Sequence, residues 1–356
     1  MSLHFEKLII KEIKTETADC VSIAFNIPTQ LKEKFNYTQG QNIAVKVFIN
    51  NEEVRRSYSL CSSPLENDFR IAVKKVDDGL FSTYANTQLK AGDTLEVMPA
   101  VGKFFTPLQS SNKKNYVAFA AGSGITPILS IIKTTLQTEP ESNFTLVYGN
   151  KNVASIIFKE TIEALKNKYI SRFNVVYILS KERTESELNF GRINTQKCKI
   201  LFKKLIAINA HEFFICGPEA MIFSVKEFLE KKGVEKNKIH FELFNTSNTT
   251  APTKHITVNT NTPASNITIK VDGRSFDFKI PFNTATILDA ALQQGADLPY
   301  ACKGGMCCTC KAKLLEGKVN MNVCYGLEEE EIKQGYILTC QSHPTTDKVV
   351  VDYDIK

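Results

Sequence analysis

The stretch that decides the fold lies near the C-terminus and reads Ala301-Cys302-Lys303-Gly304-Gly305-Met306-Cys307-Cys308-Thr309-Cys310. Three of its cysteines have the spacing C-x4-C-x2-C, and a fourth follows after a long gap, which is the pattern of a plant-type 2Fe–2S centre. Gly304 and Gly305 allow the loop to turn sharply and to bring backbone N–H groups close to the sulfur atoms. We therefore predict a 2Fe–2S cluster whose ligands are Cys302, Cys307, Cys310 and Cys340.

Two other interpretations of these cysteines stay open but have less support. A structural zinc site usually has two C-x2-C pairs or histidine partners, whereas this sequence has one such pair and five scattered histidines. A disulfide framework is typical of short secreted chains, and the N-terminal residues show no apolar signal segment. The iron–sulfur interpretation is therefore preferred.

The remaining cysteines are predicted not to be ligands. A buried and unreactive thiol is the usual state of a single cysteine, and we expect it for Cys20, Cys61 and Cys198. Cys308 lies between two predicted ligands, but using it in place of Cys307 would break both spacings. Cys308 and Cys324 therefore stay outside the ligand set.

Length and composition indicate a soluble globular chain of several domains. With 356 residues, the chain is too long for one ordinary core, which favours two or three domains of about 100–150 residues each. No apolar run approaches the roughly 18 residues of a transmembrane helix. Without a signal segment, the ten cysteines indicate the cytoplasm. No basic block alternates with aromatic residues, so we expect neither nucleic-acid binding nor membrane insertion.

The net charge of +6 is unevenly distributed along the chain. Residues 1–263 carry an excess of basic side chains, and residues 264–356 carry a small excess of acidic ones. Two such regions could attract each other, although ordinary solvated faces explain so modest an asymmetry equally well.

Residues 1–108 are predicted to form an antiparallel β-barrel. Short apolar runs, such as those at 21–25 and 43–49, alternate with turn signals that contain Gly, Pro, Asn or Asp. Closely spaced strands and turns of this kind are typical of antiparallel barrels.

One strand of this region carries Arg56-Ser57-Tyr58-Ser59, whose side chains suit a flavin nucleotide. A guanidinium can bind the pyrophosphate, a phenol can stack on the isoalloxazine ring, and a hydroxyl can lie near the flavin N5. Further on, Asp78-Gly79 precedes a short predicted helix whose N-terminal N–H groups could bind a phosphate. An ordinary edge strand is the alternative interpretation of this motif.

Residues 109–245 have the pattern of an α/β domain. A buried strand at 116–120 leads into Gly122-Ser123-Gly124-Ile125-Thr126-Pro127, after which the apolar spacing becomes helical. Pro127 suits the first turn of a helix, where no N–H is needed. Strands predicted at 144–150, 173–179 and 212–216 alternate with helices at 156–166 and 197–207. We therefore predict an open parallel sheet whose glycine turn faces a dinucleotide.

Two further segments at strand ends are candidates for coenzyme binding. Cys216-Gly217-Pro218 follows one strand, at the carboxyl edge where open α/β sheets bind ligands. Another strand ends in Ser180-Lys181-Glu182-Arg183, whose hydroxyl and cations suit the 2′-phosphate of NADPH. Glu182 and Glu185 could instead bind the ribose of NADH. NADPH is therefore favoured, and NADH stays open.

The remaining chain is predicted to contain a linker and a third domain. Residues 246–265 are rich in Thr, Asn and Ser and have few side chains to bury, which predicts a flexible polar linker. Residues 266–356 then show two strands, a helix at 286–294, the cysteine loop and a closing strand at 349–351. This layout resembles a plant-type ferredoxin, a small α+β domain of the β-grasp type.

With these motifs in series, the chain resembles the ferredoxin–NADP reductase superfamily joined to a C-terminal ferredoxin. The resemblance implies FAD binding by the barrel, at Arg56, Tyr58, Ser59, Lys74, Ser82 and Thr83. It implies NAD(P)H binding by the α/β domain, at Gly122, Gly124, Thr126, Pro127, Ser180, Arg183, Cys216, Gly217 and Pro218. Ser59 and Cys216 would shape the site of hydride transfer. Phe244 would cover the flavin, although an ordinary core position suits it equally well.

The domain order resembles the reductase components of multicomponent oxygenases, and among them the reductases of phenylacetyl-CoA epoxidase systems. The resemblance implies that electrons pass from NAD(P)H through FAD and the 2Fe–2S cluster to an oxygenase protein. Lys151 stands where these reductases usually have an arginine. The alternatives are an electron carrier with an idle nucleotide site and a general ferredoxin or flavin reductase that serves another acceptor.

Overall fold

A computed structural model describes residues 4–184, 186–244, 263–282 and 284–355 of the chain. Within these ranges three larger β-sheets follow one another along the sequence. They form an antiparallel barrel, an open parallel sheet between helices, and a ferredoxin-like sheet, so the predicted fold class is confirmed. No helix in these ranges is long and apolar enough to cross a membrane.

The barrel is built from β1 (Glu6–Thr17), β2 (Cys20–Asn26), β3 (Asn42–Ile49), β4 (Glu52–Ser59), β5 (Phe69–Lys74), helix α1 (Leu80–Thr87) and β6 (Thr94–Val97). Its six strands are ordered β4-β3-β6-β1-β2-β5, and every pair is antiparallel. A bridge between Leu60 and Ile71 joins the end of β4 to β5 and closes the sheet. Alternate side chains point inward along each strand, and Leu8, Ile23 and Ile43 are fully buried there.

The second sheet belongs to the α/β domain, whose elements are β7 (Asn115–Ala121), α2 (Ile125–Thr138), β8 (Asn143–Asn150), α3 (Lys159–Lys168), β9 (Phe173–Leu179), α4 (Thr195–Lys204), β10 (Glu212–Gly217), α5 (Glu219–Lys231) and β11 (Ile239–Leu243). The strands are parallel and ordered β11-β10-β7-β8-β9. The order therefore reverses between β7 and β10. Open α/β sheets bind ligands in the crevice outside such a reversal point.

The third sheet belongs to the C-terminal domain, whose elements are β12 (Ala264–Val271), β13 (Arg274–Pro281), α6 (Ile287–Gln293), β14 (Lys311–Glu316), β15 (Val319–Met321), α7 (Glu329–Lys333), β16 (Tyr336–Leu338), β17 (Ser342–Pro344) and β18 (Lys348–Asp352). The strand order is β13-β12-β18-β14-β16, with β12 and β18 parallel, and β15 pairs with β17. The cysteine loop lies between α6 and β14, and Cys340 lies between β16 and β17.

Several predicted boundaries differ from the structure by a few residues, and the structure gives a physical reason for two of them. The predicted linker 246–265 falls mostly outside the described residues, but its last two residues belong to β12. Glu185 also lies outside the described residues. Ser265 pairs with Ile280 in the β12–β13 ladder and is fully buried. Helix α3 begins at Lys159 rather than at residue 156. Phe158 has a left-handed backbone conformation with φ 60°, and such a residue cannot be part of a right-handed α-helix.

The buried carboxylate of Glu139 joins the loop that follows the barrel, at residues 109–112, to the parallel sheet. Glu139 directly follows α2 and is fully buried. It accepts hydrogen bonds from the Tyr116 hydroxyl at 2.9 Å, the Asn112 amide at 2.6 Å, the Ser142 hydroxyl at 2.7 Å and the Gln109 N–H at 3.2 Å. Four donors satisfy the buried group, as a polar network in a protein interior requires.

We expect Glu139→Leu to lower the free energy of unfolding by about 3 kcal/mol, because it leaves several buried donors without an acceptor. Unfolding in urea, followed by circular dichroism, measures the loss. The matched control is Glu141→Leu, since Glu141 is exposed and forms a surface ion pair with Lys113; its effect should stay within about 0.5 kcal/mol. Equal effects of the two substitutions would contradict the role given to Glu139.

Candidate redox site

The carboxyl ends of β7 and β10 place two coenzyme-binding candidates side by side. β7 leads into the glycine turn before α2, and β10 ends at Gly217 and leads through Pro218 into α5. A methyl group at Gly124 would lie 2.2 Å from the carbonyl oxygen of Cys216. Only glycine permits the backbones of residues 124 and 216 to approach so closely. A larger residue at position 124 would push the two strand ends apart.

The other residues of the turn have different environments. Thr126 is buried, and its hydroxyl donates to the Ser123 carbonyl at 3.0 Å. Pro127 is buried in the first turn of α2. Gly122 has φ +54°, and an added methyl group there would have no described atom within 4 Å. Gly122 therefore leaves room for a ligand, whereas Thr126 and Pro127 shape the start of the helix.

The end of β4 meets the last strand of the parallel sheet at this same place. Ser59 is buried, and its hydroxyl donates to Oε2 of Glu242 on β11 at 3.0 Å. Glu242 is the ladder partner of Cys216. The fold thus brings the two predicted hydride-site residues, Ser59 and Cys216, together around one carboxyl group. Burial raises the pKa of the Cys216 thiol well above its ordinary value, which keeps it neutral.

Glu242 is a site residue that the sequence interpretation missed. Burial raises the pKa of its carboxyl to about 7, while hydrogen bonds from Ser59 and Asn42 act in the opposite direction. A carboxyl group with this pKa can bind or release a proton near neutral pH. The available signal was a single acid between the apolar residues Phe241 and Leu243 of β11, because acidic side chains are rarely placed inside without a partner.

The predicted flavin residues of β4 lie beside α1. The Tyr58 ring packs against Phe81, with the ring centroids 5.4 Å apart, and burial raises the pKa of its phenol above the ordinary value. Arg56 donates a hydrogen bond to the Arg55 carbonyl at 2.8 Å, and Lys74, at the end of β5, lies near Asp19 in the turn between β1 and β2. An aromatic ring, a guanidinium and an amine therefore lie along the two strands, as a flavin nucleotide would require.

Ser82 and Thr83 stabilise the turn that precedes α1. The Ser82 hydroxyl donates to the Gly79 carbonyl and accepts from the Val76 N–H, both at 3.2 Å. The Thr83 N–H also donates to the Gly79 carbonyl. Since these groups are already hydrogen-bonded within the chain, a phosphate here would be bound mainly by the remaining N–H groups of the first helical turn.

The predicted ribose-phosphate segment begins at Ser180, whose N–H donates to the last residue of β8. Glu182 accepts a hydrogen bond from the Val153 N–H at 2.8 Å, so its carboxylate is held by the neighbouring loop. The Arg183 guanidinium is exposed and lies 5.3 Å from the centre of the Phe190 ring. The Arg183 cation is therefore free to bind a ligand from solvent, whereas the Glu182 carboxylate is already hydrogen-bonded within the chain. This arrangement favours binding of the 2′-phosphate of NADPH over binding of the 2′-hydroxyl of NADH.

At the far end of β11, Phe244 packs against the core cluster that joins α2 to the barrel. It is only partly buried. The position is compatible with both predicted roles, a cover for the flavin and a core aromatic.

The four predicted cluster ligands form two pairs. The sulfur atoms of Cys302 and Cys307 lie 3.1 Å apart, and the thiols of Cys310 and Cys340 interact with each other. In a 2Fe–2S cluster each of the two irons takes two of the four cysteines. The pairing of Cys302 with Cys307 and of Cys310 with Cys340 therefore suits two metal atoms.

The polar surroundings of the loop also suit a cluster. The Gly304 and Cys307 N–H groups point at the Cys302 sulfur, each at 3.4 Å. The Cys307 thiol and these N–H groups lower the pKa of Cys302 to about 6, and a metal-binding cysteine must be deprotonated. The Thr309 hydroxyl is buried with no hydrogen-bond partner in the described chain. A cluster sulfur atom would supply the missing acceptor.

Cys308 has surroundings unlike those of the four predicted ligands. Burial raises the pKa of its thiol, as it also does for Cys307 and Cys310. The difference lies in the partners: Cys302 acts on Cys307 and Cys340 on Cys310, whereas the charged groups that act on Cys308 are Lys311, Glu331 and Glu242.

Gly326 is a second residue that the sequence interpretation missed. A methyl group there would lie 2.6 Å from the Cys307 carbonyl oxygen, so glycine is needed where segment 323–326 packs on the cysteine loop.

Comparison with known proteins identifies the same three domains. An oxidoreductase FAD-binding domain matches residues 7–106, an oxidoreductase NAD-binding domain matches 119–227, and a 2Fe-2S iron-sulfur cluster binding domain matches 269–345. The chain is 44% identical to a subunit of the 1,2-phenylacetyl-CoA epoxidase of Escherichia coli K12, over 99% of its length and 98% of that protein. It is 34% identical to the ferredoxin reductase component of 3-ketosteroid-9-alpha-monooxygenase from Rhodococcus rhodochrous, over 97% of its length and 96% of the relative.

A solved structure has the same fold over nearly the whole chain. Phthalate dioxygenase reductase, described as a modular structure for electron transfer from pyridine nucleotides to 2Fe–2S, matches with a TM-score of 0.61 and 23% identity. The match covers 98% of each chain.

Fold and site define a class: an oxidoreductase with an FAD-binding, an NAD-binding and a 2Fe–2S domain in one chain. Within that class, the chain belongs to the family of reductase components of multicomponent oxygenases that includes the two relatives above. The predicted family, enzyme class and cofactor-binding domains are thus confirmed. The individual site residues and the choice between NADPH and NADH stay predictions.

Replacing Cys308 by Ser should leave the iron and acid-labile sulfide content unchanged, because its surroundings differ from those of the ligand pairs. Replacing Cys307 by Ser should remove most of the iron, because one iron atom loses a ligand. Iron and sulfide analysis, together with electron paramagnetic resonance of the reduced proteins, measures both. The ligand assignment would be wrong if the two variants behaved in the reverse way.

Glu242→Gln should change how stability depends on pH. The pKa of Glu242 is raised from 4.5 to about 7 in the folded protein, so between these values the native state binds a proton that the unfolded chain does not. Stability therefore falls as the pH rises through this interval, and glutamine removes that contribution. Urea unfolding at several pH values measures the slope. Glu227→Gln, on the exposed face of α5, is the control that should keep the wild-type slope; an unchanged slope in Glu242→Gln contradicts the assignment.

Proposed function

We propose that this protein transfers electrons from NADPH through FAD and a 2Fe–2S cluster to the oxygenase component of a phenylacetyl-CoA epoxidase system. The observation that carries the proposal is the 44% identity with the Escherichia coli 1,2-phenylacetyl-CoA epoxidase protein along almost the entire length of both chains. The convergence of Ser59, Glu242 and Cys216 at one point supports the electron-transfer chemistry. We place the protein in the cytoplasm, where a reducing environment keeps the ligand thiols available.

When bound, FAD accepts a hydride and gives up electrons singly, which links a two-electron donor to a one-electron cluster. Arg56 and Tyr58 would bind and orient the flavin nucleotide. Ser59 and Cys216 border the space where the nicotinamide would meet it, and the neutral Cys216 thiol adds no charge there. Oε2 of Glu242, which accepts the Ser59 hydrogen bond, can hold a proton close to this space.

The cysteine loop lies against the barrel on the same side as this site. Ala301 and Cys307 pack with Ala44 and Met98 in one buried apolar cluster. Such packing excludes water between the segment that would hold the flavin and the segment that would hold the cluster. Glu242 acts electrostatically on Cys308, which supports a short separation between the two centres.

We choose NADPH as the electron donor because the exposed Arg183 guanidinium can bind its 2′-phosphate. The Glu182 carboxylate, which would bind the ribose of NADH, already accepts a hydrogen bond from the Val153 N–H. The second candidate, NADH, is supported by the presence of that acid in the segment. Stopped-flow bleaching of the flavin by each coenzyme, at equal concentrations, separates the two.

The proposed function is tested by measuring whether NADPH oxidation by this protein is coupled to turnover by the oxygenase component. The holoenzyme should oxidise NADPH, bleach its flavin and then its cluster, and support turnover of phenylacetyl-CoA by the purified oxygenase component. Reduction of a small one-electron acceptor without oxygenase turnover would instead indicate a general reductase. A flavin that neither coenzyme bleaches would indicate an electron carrier with an idle nucleotide site.

Ser59→Ala should slow flavin reduction by about 100-fold, the loss that a small misplacement of reacting groups can cause. Ser22→Ala is the control, because Ser22 is also a buried serine of the barrel but donates to Glu16. Stopped-flow spectroscopy at saturating coenzyme measures both rates. A wild-type rate in Ser59→Ala would remove this residue from the hydride-transfer site.

A further inference from the structure

Arg55 joins the barrel to the ferredoxin domain. It is the only buried arginine in the described ranges, with 7% exposure. Its Nη1 donates to the Leu298 carbonyl at 3.2 Å, and its guanidinium carbon lies 4.1 Å from the centre of the Tyr300 ring. Both partners belong to the segment that leads from α6 to Cys302, the first predicted cluster ligand.

The same guanidinium also contacts the barrel. The Phe5 ring centre lies 5.0 Å away, so the planar group lies near an aromatic ring from each domain. Its Nε donates to the Glu53 carboxylate at 2.7 Å, and the Tyr300 hydroxyl donates to the same oxygen at 3.3 Å. A desolvated guanidinium with aromatic and carboxylate partners is held in one orientation, which a flexible lysine would not match.

A second polar contact holds α7 to the barrel. Lys103 of the barrel lies 2.9 Å from the Glu331 carboxylate, which Lys311 approaches at the same distance from within the ferredoxin domain. Glu331 is buried. The apolar contact of Ala301 with Met98 supplements the two polar ones. The cysteine loop is therefore attached to the barrel by several contacts of different chemistry.

We propose that Arg55 is a positioning residue for electron transfer from the flavin to the cluster. One strand, β4, carries both Arg55 and the predicted flavin ligand Tyr58, and one short loop carries both Tyr300 and Cys302. The Arg55 contact thus sets the separation between the two segments that would hold the redox centres. The inference rests on the proposed function for the identity of those centres.

The redox step itself involves no change at Arg55. In each transfer the flavin loses one electron and the cluster gains it. Arg55 exchanges neither electron nor proton, because a guanidinium stays charged in proteins. Its effect is geometric, so its removal should act on this step and not on hydride transfer from the coenzyme.

Lys46 provides a matched control on the neighbouring strand. It is the cross-strand partner of Arg55, and its amine lies 4.6 Å from the same Phe5 ring. Its ion pair, at 3.1 Å, is with Glu96 of the barrel. Lys46→Met therefore removes a cation–aromatic contact of the barrel and spares the Arg55 contacts with Leu298 and Tyr300.

The experiment compares holoenzymes of the wild type, Arg55→Met, Tyr300→Leu, the double variant and Lys46→Met. Stopped-flow absorbance with NADPH follows flavin reduction and then cluster reduction. We expect cluster reduction to slow about tenfold in each single variant, the change expected when about 1.4 kcal/mol of docking free energy is lost. The double variant should be no slower than Arg55→Met alone, because the Arg55–Tyr300 ring contact is already lost in that single variant. Flavin reduction should keep its wild-type rate throughout, and Lys46→Met should match the wild type in both steps.

Hydrogen exchange supplies a readout that does not depend on redox activity. Amide exchange in segment 298–307 should become faster in Arg55→Met and in Tyr300→Leu, and should stay unchanged in Lys46→Met. If Arg55→Met fails to fold, Tyr300→Leu tests the same contact from the other domain. Wild-type cluster reduction in the single variants, additive effects in the double variant, or unchanged exchange would each overturn the positioning role. If neither coenzyme reduced the flavin of the wild-type holoenzyme, the proposed function would be refuted instead. The hydrogen-exchange result would still show whether Arg55 holds segment 298–307 in place.

Discussion

The hydrogen bond from Ser59 to Glu242 joins the barrel to the edge strand β11, next to the point where the strand order reverses between β7 and β10, and the redox site depends on it. A carboxyl group placed among apolar strands needs donors, because an unpaired buried polar group costs about 1–3 kcal/mol or more. Ser59 and Asn42 of the barrel supply them. The need to satisfy Glu242 therefore fixes the end of β4 against β10 and β11. The close approach of Gly124 to Cys216 completes the crevice from the other side.

The ferredoxin domain is attached by contacts that combine charge with apolar packing. The uneven charge along the sequence appears in the structure as the Lys103–Glu331 ion pair between the barrel and α7. Charge alone does not specify an orientation, since an ion pair tolerates many geometries. The Arg55 guanidinium, with aromatic contacts from Phe5 and Tyr300, is directional and adds that specification. A cluster loop held in this way can remain at one distance from the flavin-binding strand.

Much of the fold follows from local patterns, and the errors arise where a distant partner decides. The alternation of strands and turns predicted the barrel, and the strand–glycine–helix segments predicted the parallel sheet, because each pattern lies within a short window. The predicted linker extends into β12, because the pairing of Ser265 with Ile280 is not visible in the local sequence. Nothing beside Glu242 in the sequence reveals that Ser59 lies 3.0 Å away, so local patterns do not predict it as a site residue. The hydroxyls of Ser82 and Thr126 looked available for ligands, yet local turns already use them.

The sequence by itself determined the fold class, the family and the pattern of four cysteines, because a cluster loop, a flavin motif and a glycine turn are each encoded in contiguous residues whose chemistry does not depend on the rest of the chain. Tertiary structure decided which of these elements meet. It placed Glu242 between Ser59 and Cys216, divided the cysteines into two pairs, and joined Arg55 to the loop before Cys302. The physical reason is that burial and hydrogen-bond partners come from segments far apart in sequence. A carboxyl pKa of about 7 and a directed guanidinium contact exist only after those segments have packed together.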